Sequence, residues 1–367
     1  MSEPESNDIW LGLLKWSLNH VDGTVPSSES PGFKKMSAED KAFLEEVMKN
    51  GIIDEGKRMK TILSSLVGYL DNILQQQEIS ESDTEKPISE DEASTLLIEL
   101  RDIVEQIDYA KSFAAMGGIK FLIGCSAERE RIPKAIRSGC LKVLSTLCQN
   151  NPPVQYMMLE QGTIVKLLEM YFAEFPSQQG EGNDQLADTS LRANIVQAMS
   201  SSIRNHETAE NIFCMNEESI KMIESGLGLH HENETLPCPD LALRRKTLFF
   251  LQALVTSDSA GVECVHLFTR AIQYTACNFL DPKMETDQEM REMTLSMLVR
   301  ILDRKQGVNS VLNMKSTLIG LGVTRVSALR GIEGEEAQYI EEELKLWESL
   351  IVGIARTPKD QVVADSA

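Results

Sequence analysis

The residues best able to ligate a metal or attack an electrophile are seven cysteines and five histidines in a chain of 367 residues. The cysteines fall at 125, 140, 148, 214, 238, 264 and 277, an odd count with no CxxC pair. They read as buried free thiols in a reducing compartment. Two groupings could hold a metal: His230-His231 with Cys238, and Cys264 with His266. Neither offers four ligands at the spacing of a structural zinc site. The acid pairs Glu217-Glu218 and Glu335-Glu336 have no nucleophile placed beside them, and read as helix caps and solvated faces. No Walker A loop, GxGxxG, HExxH or GxSxG occurs. The expectation is a protein that makes and breaks no bond, with no catalytic residue, metal or cofactor.

Composition narrows the partners. There are 36 Lys and Arg against 56 Asp and Glu, a net charge of −20. Nucleic acid and anionic membrane surfaces are unsuitable partners for such a chain, because both need clustered Lys and Arg. Aromatic residues make up 5% while Met is frequent at 16, a balance that favours helices over strands. The start, MSEPESND, is acidic and does not read as a signal peptide, and no apolar run of about 18 residues follows. The expected location is the cytoplasm or nucleus.

The elements that would position any functional residue come from an internal repeat. Four segments align without gaps, starting at Ile136, Leu191, Leu243 and Met290. Arg137, Arg192, Arg244 and Arg291 share one column, at spacings of 55, 52 and 47 residues. Val143, Ala198, Phe250 and Met297 share another, and Leu144, Met199, Leu251 and Leu298 the next. Leu147, Ser202, Leu254 and Ile301 fall three further on. These offsets place one apolar stripe on each helix. A weaker copy begins near Ala93, with Gly118 matched to Gly162 at a spacing of 44. The period is that of armadillo and HEAT arrays, and no alternating β-run appears.

The expected fold is therefore all-α, an α-solenoid of about four armadillo-like repeats with helical caps. Residues 1–35 form a mobile segment carrying a short apolar helix. Residues 36–78 form an N-terminal helical cap, with one helix from Ser37 and a second from Lys57 to Leu74. Residues 79–92 are an acidic linker, and residues 93–310 hold the repeats. Residues 311–355 form a C-terminal cap built on Leu344, Trp347, Leu350 and Ile351, and residues 356–367 are a tail. Polar insertions lengthen the loops at 175–190 and 230–240.

A solenoid offers a curved groove for protein surfaces or peptides. Asn150, Asn205, Ser257 and Arg304 align at the ends of the repeated helices and are candidate groove residues. Asn at such ends also satisfies terminal carbonyls. The arginines of the column can lie along a neighbouring repeat and pair with a carboxylate. Arg244 stands out, because Arg245 and Lys246 follow it in an acidic chain and would suit an acidic patch on a partner.

Several stretches, in order, resemble a known family. They are Leu13-Leu14-Lys15-Trp16-Ser17-Leu18, Glu105 to Ala110, Gln149-Asn150-Asn151, Ile203-Arg204-Asn205-His206 and Leu243-Arg244. The set is similar to the armadillo-type nucleotide exchange factors of the 70-kDa heat-shock chaperone, from residue 9 to about 305. The resemblance implies a monomeric co-chaperone that holds the chaperone's nucleotide-binding domain in its concave groove and promotes ADP release. It implies contacts at Ala110, Arg204, Asn205 and Arg244, with Asn150 and Asn151 behind them. A small residue at 110 would allow close approach. The segment with Leu13, Leu14 and Trp16 would help release peptide clients. The sequence departs from the family at Asn216-Glu217-Glu218-Ser219, which replaces a Gly-containing turn. The other reading is an armadillo-repeat adaptor or scaffold without exchange activity.

Overall fold

The computed structural model describes residues 54–75, 88–175, 189–229, 239–259, 262–304, 307–334 and 337–357. The expected helix at Ser37, the segment with Leu13, Leu14 and Trp16, and the grouping of His230-His231 with Cys238 lie outside the described residues. The chain divides into two compact units, residues 1–64 and 65–367. Residues 54–64 of the first are described. They start helix α1 (Glu55–Gln75), where Asp54 Oδ1 accepts the Lys57 backbone N–H at 3.1 Å. Met59, Ile62, Leu66, Tyr69 and Leu70 are its buried residues, at helical spacing.

The second unit is built from helices in groups of three, each a long helix followed by two shorter ones. The first group is α2 (Glu90–Ile103), α3 (Ile107–Ala115) and α4 (Gly118–Ala127). The second is α5 (Lys134–Cys148), α6 (Pro152–Glu160) and α7 (Thr163–Ala173). The third is α8 (Thr189–Ile203), α9 (Glu207–Cys214) and α10 (Glu217–Leu227). The fourth is α11 (Leu241–Val255), α12 (Val262–Leu267) and α13 (Thr269–Phe279). The fifth is α14 (Gln288–Arg304), α15 (Asn309–Leu312) and α16 (Lys315–Arg330), and a long helix α17 (Ala337–Arg356) ends the stack. Among the described residues there are no strands, and no helix is long and apolar enough to cross a membrane.

The long helices pack in chain order, α2 on α5, α5 on α8, α8 on α11, α11 on α14 and α14 on α17. Helices α4, α7, α10 and α13 form a second layer in the same order. The fold is an all-α solenoid. Its ladder is held by the apolar columns read from the sequence: Val143, Ala198, Phe250 and Met297 are all buried, as are Leu144, Met199, Leu251 and Leu298. Each large apolar side chain so buried contributes about 1.5–3 kcal/mol, realised only when a neighbouring repeat covers it. At the end of the ladder α17 covers α14 and α16, inserting Trp347, Leu350 and Ile354.

The arginine column is a structural device in all four copies. Arg137 pairs with Glu174 and donates Nε–H to the Ser126 carbonyl at 2.9 Å. Arg192 lies over the Phe175 ring, 4.3 Å from its centroid. Arg244 pairs with Glu285. Arg291 donates to the Glu285 carbonyl at 3.0 Å and to the Glu343 carboxylate at 3.3 Å, and Glu343 also receives Arg325 at 2.7 Å. A chain of partly and fully buried charges thus ties α11, α14, α16 and α17 together. Removing one member of such a pair leaves the other charge buried and uncompensated.

Three local expectations change. The glycine equivalent to Gly162 is Gly117, at a spacing of 45, since both sit before their helix with φ of 66° and 89°. A left-handed φ is what glycine permits. Gly118 has a different reason: a Cβ there would meet the Phe113 ring at 2.2 Å. The acidic run extends into helix, because Glu90, Asp91 and Glu92 are the first turn of α2. Ser89 and Glu92 close a capping box there, and acids suit the positive helix start. Asn216 replaces a glycine turn by capping α10 itself, its Oδ1 accepting the Glu218 N–H at 3.0 Å.

Candidate functional site

One depression of about 350 Å³ runs across the outward faces of α5, α8, α11 and α14. Its walls are Ser145 and Gln149 of α5 or its end, then Gln197, Ser200, Ser201 and Arg204 of α8 or its end. Arg245, Lys246 and Phe249 of α11 and Glu289 and Met293 of α14 complete them. The lining is set by helical geometry. Arg245 and Phe249 are four residues apart and so share a face, while the buried Leu248 and Leu251 look inward.

The helices are pinned across the groove by side-chain bonds. Lys246 Nζ donates to Asn194 Oδ1 at 3.1 Å, and Asn194 Nδ2 donates to Ser138 Oγ at 2.8 Å. Ser145 and Ser201 share a hydrogen bond of 2.9 Å, and Gln252 Nε2 donates to Ser296 Oγ at 3.1 Å. These bonds fix the register of four repeats before any partner arrives.

Three cations line the groove. Arg204 places its guanidinium carbon 4.7 Å from the centroid of the Phe249 ring and donates Nε–H to the Ser200 carbonyl at 3.3 Å. Burial lowers its pKa, and among the described residues no carboxylate reaches it. Burial, and then the neighbouring charge of Lys142, pull the Lys246 ammonium below its ordinary range. Arg245 is shared between Asp287 and Glu289, the latter at 2.8 Å. Phe249 is 45% exposed, a large aromatic face on a polar wall. The groove thus combines an open aromatic ring with cationic side chains, the kinds of group that anchor protein interfaces.

The rim is made where the long helices end. Asn150 and Asn205 both adopt left-handed φ, 52° and 62°, just beyond α5 and α8. Asparagine accepts that conformation better than any residue but glycine. Gln155 of α6 donates to the carbonyls of Ser201 and Arg204 at 2.9 and 3.0 Å, satisfying the end of α8. Glu210 of α9 accepts the Asn205 N–H at 3.0 Å and the Ser257 hydroxyl at 2.7 Å.

The expected contacts separate into two groups. Arg204 lines the groove, and Asn150 and Asn205 are exposed on its rim. Asn151 is buried, its Nδ2 reaching the Ile107 carbonyl at 3.5 Å. Ala110 is on the inward face of α3 and only 1% exposed, so its methyl is covered by the chain's own core. Arg244 is the half-buried column residue held by Glu285, and the arginine lining the groove is its neighbour Arg245. Phe249 was missed because an apolar residue within an apolar helix gives no sign of facing outward. Among the described residues no group of three His, Cys, Asp or Glu is placed to hold a metal.

These features define an all-α, armadillo-like solenoid with a groove along its long helices. The resemblance read from the sequence has a named counterpart. The chain is 23% identical over 257 residues to a protein of Mycosarcoma maydis described as "Hsp70 nucleotide exchange factor FES1", covering 68% of this chain and 56% of that one. The chain thus matches about half the length of this curated relative. No family model matches the chain. Among solved structures, a designed armadillo repeat protein superposes with a TM-score of 0.48 at 11% identity, over 78% of this chain and 99% of that one. ARO, the armadillo repeats only protein from Plasmodium falciparum, does so with a TM-score of 0.44 at 14% identity, over 68% and 98%.

Proposed function

We propose that this chain is a nucleotide exchange factor for a 70-kDa heat-shock chaperone, binding the chaperone's nucleotide-binding domain through the groove. The observation that carries this reading is the similarity, over 257 residues, to the exchange factor of Mycosarcoma maydis. The groove adds physical support, with Arg204, Arg245 and Lys246 gathered around Phe249 in a chain of net charge −20. Contacts are assigned to Arg204, Arg245, Lys246 and Phe249, with Asn150 and Asn205 at the rim. The reading implies a monomeric factor in the cytosol or nucleus.

The mechanism needs no covalent step. The factor binds the open form of the chaperone domain more tightly than the closed, nucleotide-bound form. By linkage, the bound factor weakens ADP by the same ratio by which ADP weakens the factor, tenfold for about each 1.4 kcal/mol of difference. The pinned ladder makes this possible, because a rigid groove that fits one lobe arrangement does not follow the domain as it closes.

The test is stopped-flow release of fluorescent ADP from a purified cytosolic 70-kDa chaperone, with and without the full chain. Release faster by orders of magnitude is expected. Tight binding with unchanged release would make the chain an adaptor, and absence of both would limit the likeness to the fold.

A further inference from the structure

We propose that Cys214 and Cys264 form a peroxide-oxidisable dithiol that, once oxidised, staples α9 to α12 at the rim of the solenoid. Their sulfurs lie 3.2 Å apart although they are 50 residues apart in the chain and belong to successive repeats. A disulfide needs about 2.05 Å between sulfurs, so a shift of about 1.2 Å closes it. Cys214, at the end of α9, is half-buried, while Cys264 is buried beneath it beside the Leu254 carbonyl. One sulfur is therefore reachable from solvent, and its partner waits behind it.

The contrast with the remaining described cysteines supports the assignment. Cys125 and Cys140 also face each other, but both are buried, and Cys148 is buried as well. Cys277 is exposed. Only the Cys214–Cys264 pair, among the described residues, joins contact with solvent access. The hydrogen bond from Cys264 favours the Cys214 thiolate. The same bond, with burial, keeps the Cys264 thiol protonated. Cys214 is thus the attacking sulfur and Cys264 the resolving one.

The chemistry balances with hydrogen peroxide as oxidant. The Cys214 thiolate attacks one peroxide oxygen, the O–O bond breaks, and hydroxide leaves and takes up a proton. Cys214 is then a sulfenic acid. The Cys264 sulfur attacks the Cys214 sulfur, the S–O bond breaks, and the departing hydroxide leaves as water with the Cys264 proton. Two thiols and one peroxide give one disulfide and two waters. A dithiol reductant reverses the bond by exchange.

The staple would act where the rim is held by Glu210, one turn before Cys214, through its bonds to Asn205 and Ser257. The experiment uses the full chain, reduced, freed of reductant and given one equivalent of hydrogen peroxide, followed by peptide mass mapping without reduction. The expected product is a linked Cys214–Cys264 peptide lighter by two hydrogens and restored by dithiothreitol. Cys264→Ser should halt Cys214 at a sulfenic acid that a cyclic-diketone probe traps, and Cys214→Ser should give neither bridge nor trapped adduct. Oxidant consumed at Cys277 with no linked peptide would overturn the proposal. So would unbridged, over-oxidised Cys214 in the unaltered chain.

Discussion

Arg204 and Phe249 meet across two repeats, the guanidinium carbon 4.7 Å from the ring centroid. The pair joins the end of α8 to the middle of α11 and gives the groove a flat, partly desolvated, cationic floor. Such a pair contributes about 1 kcal/mol to holding its own geometry. Its larger effect is expected on a partner, because aromatic and arginine anchors dominate protein interfaces.

Arg204→Ala and Phe249→Ala are each expected to weaken binding to the nucleotide-binding domain by about 2 kcal/mol, roughly thirtyfold, with little change in melting temperature. Calorimetric titration of both single variants and the double variant checks this. A coupling of about 1 kcal/mol is expected from the direct contact. Full affinity in all three would remove the groove from the proposed interface.

Adjacent arginines are expected to behave differently. Arg244 is 24% exposed and neutralises Glu285, whose side chain is only 5% exposed. Removing it leaves that carboxylate unpaired, so Arg244→Ala should cost about 3 kcal/mol of stability, the low end for a broken buried pair. Arg245→Ala should cost under about 1 kcal/mol, because Arg245 is 39% exposed and solvent screens its pairs, yet slow association with an acidic partner at low salt. Urea melts and salt-dependent association rates distinguish them. Equal stability loss in both variants would contradict the division of roles.

That division shows what the sequence could and could not reveal. Columns such as Val143, Ala198, Phe250 and Met297 were legible because burial selects apolar residues at a helical period. The arginine column was legible as a repeat but not as a site, because repetition marks equivalence of place and not exposure. Arg244 and Arg245 differ by about 100° around the helix, and only the neighbouring repeats decide which one meets Glu285. Asn150 and Asn205 were visible as helix ends. Their left-handed backbone, and the carboxylate of Glu210 that holds Asn205, depend on contacts between repeats. Ala110 was a groove contact by resemblance alone, and its burial on the inward face of α3 depends on packing that the sequence does not display.

Ala110→Arg is therefore expected to fail by destabilisation. The methyl is 1% exposed, and an arginine there would force a charge into a packed core. The cost should exceed about 3 kcal/mol, combining overpacking with an unpaired buried charge. Thermal melting checks it. An unchanged melting temperature with lost partner binding would mean that α3 opens this position to a partner after all.

Lys246 trades stability for charge. Burial lowers its pKa, meaning that the folded groove disfavours its ammonium. Its Nζ donates to Asn194 at 3.1 Å but pairs with no carboxylate among the described residues. Lys246→Met keeps the aliphatic length and removes the charge, so the variant should be as stable as the parent or up to about 1 kcal/mol more stable. Partner affinity should fall in the same variant, and both quantities can be read from one preparation. A large loss of stability would mean that the Lys246–Asn194 bond, and not the ammonium, is what the ladder needs.

Asp287 supplies a pH signature. Burial raises its pKa, but the hydrogen bonds from Arg245 and from the Met290 N–H outweigh it, and the net pKa lies below the ordinary 3.8. The folded state therefore binds this proton less readily than the unfolded chain. The stabilisation is complete above the ordinary aspartate value and is lost as pH falls through the lower folded value. Asp287→Asn still offers an acceptor to the Met290 N–H but gives up the ion pair. The variant should be less stable by about 1 kcal/mol near pH 6, a modest figure because Arg245 is 39% exposed. The gap should shrink towards zero only as pH drops below 3.8. Urea midpoints of both proteins, stepped downward from about pH 6, follow the gap directly. A gap that closes well above the ordinary aspartate value would mean that the carboxylate of Asp287 is not held ionised by Arg245.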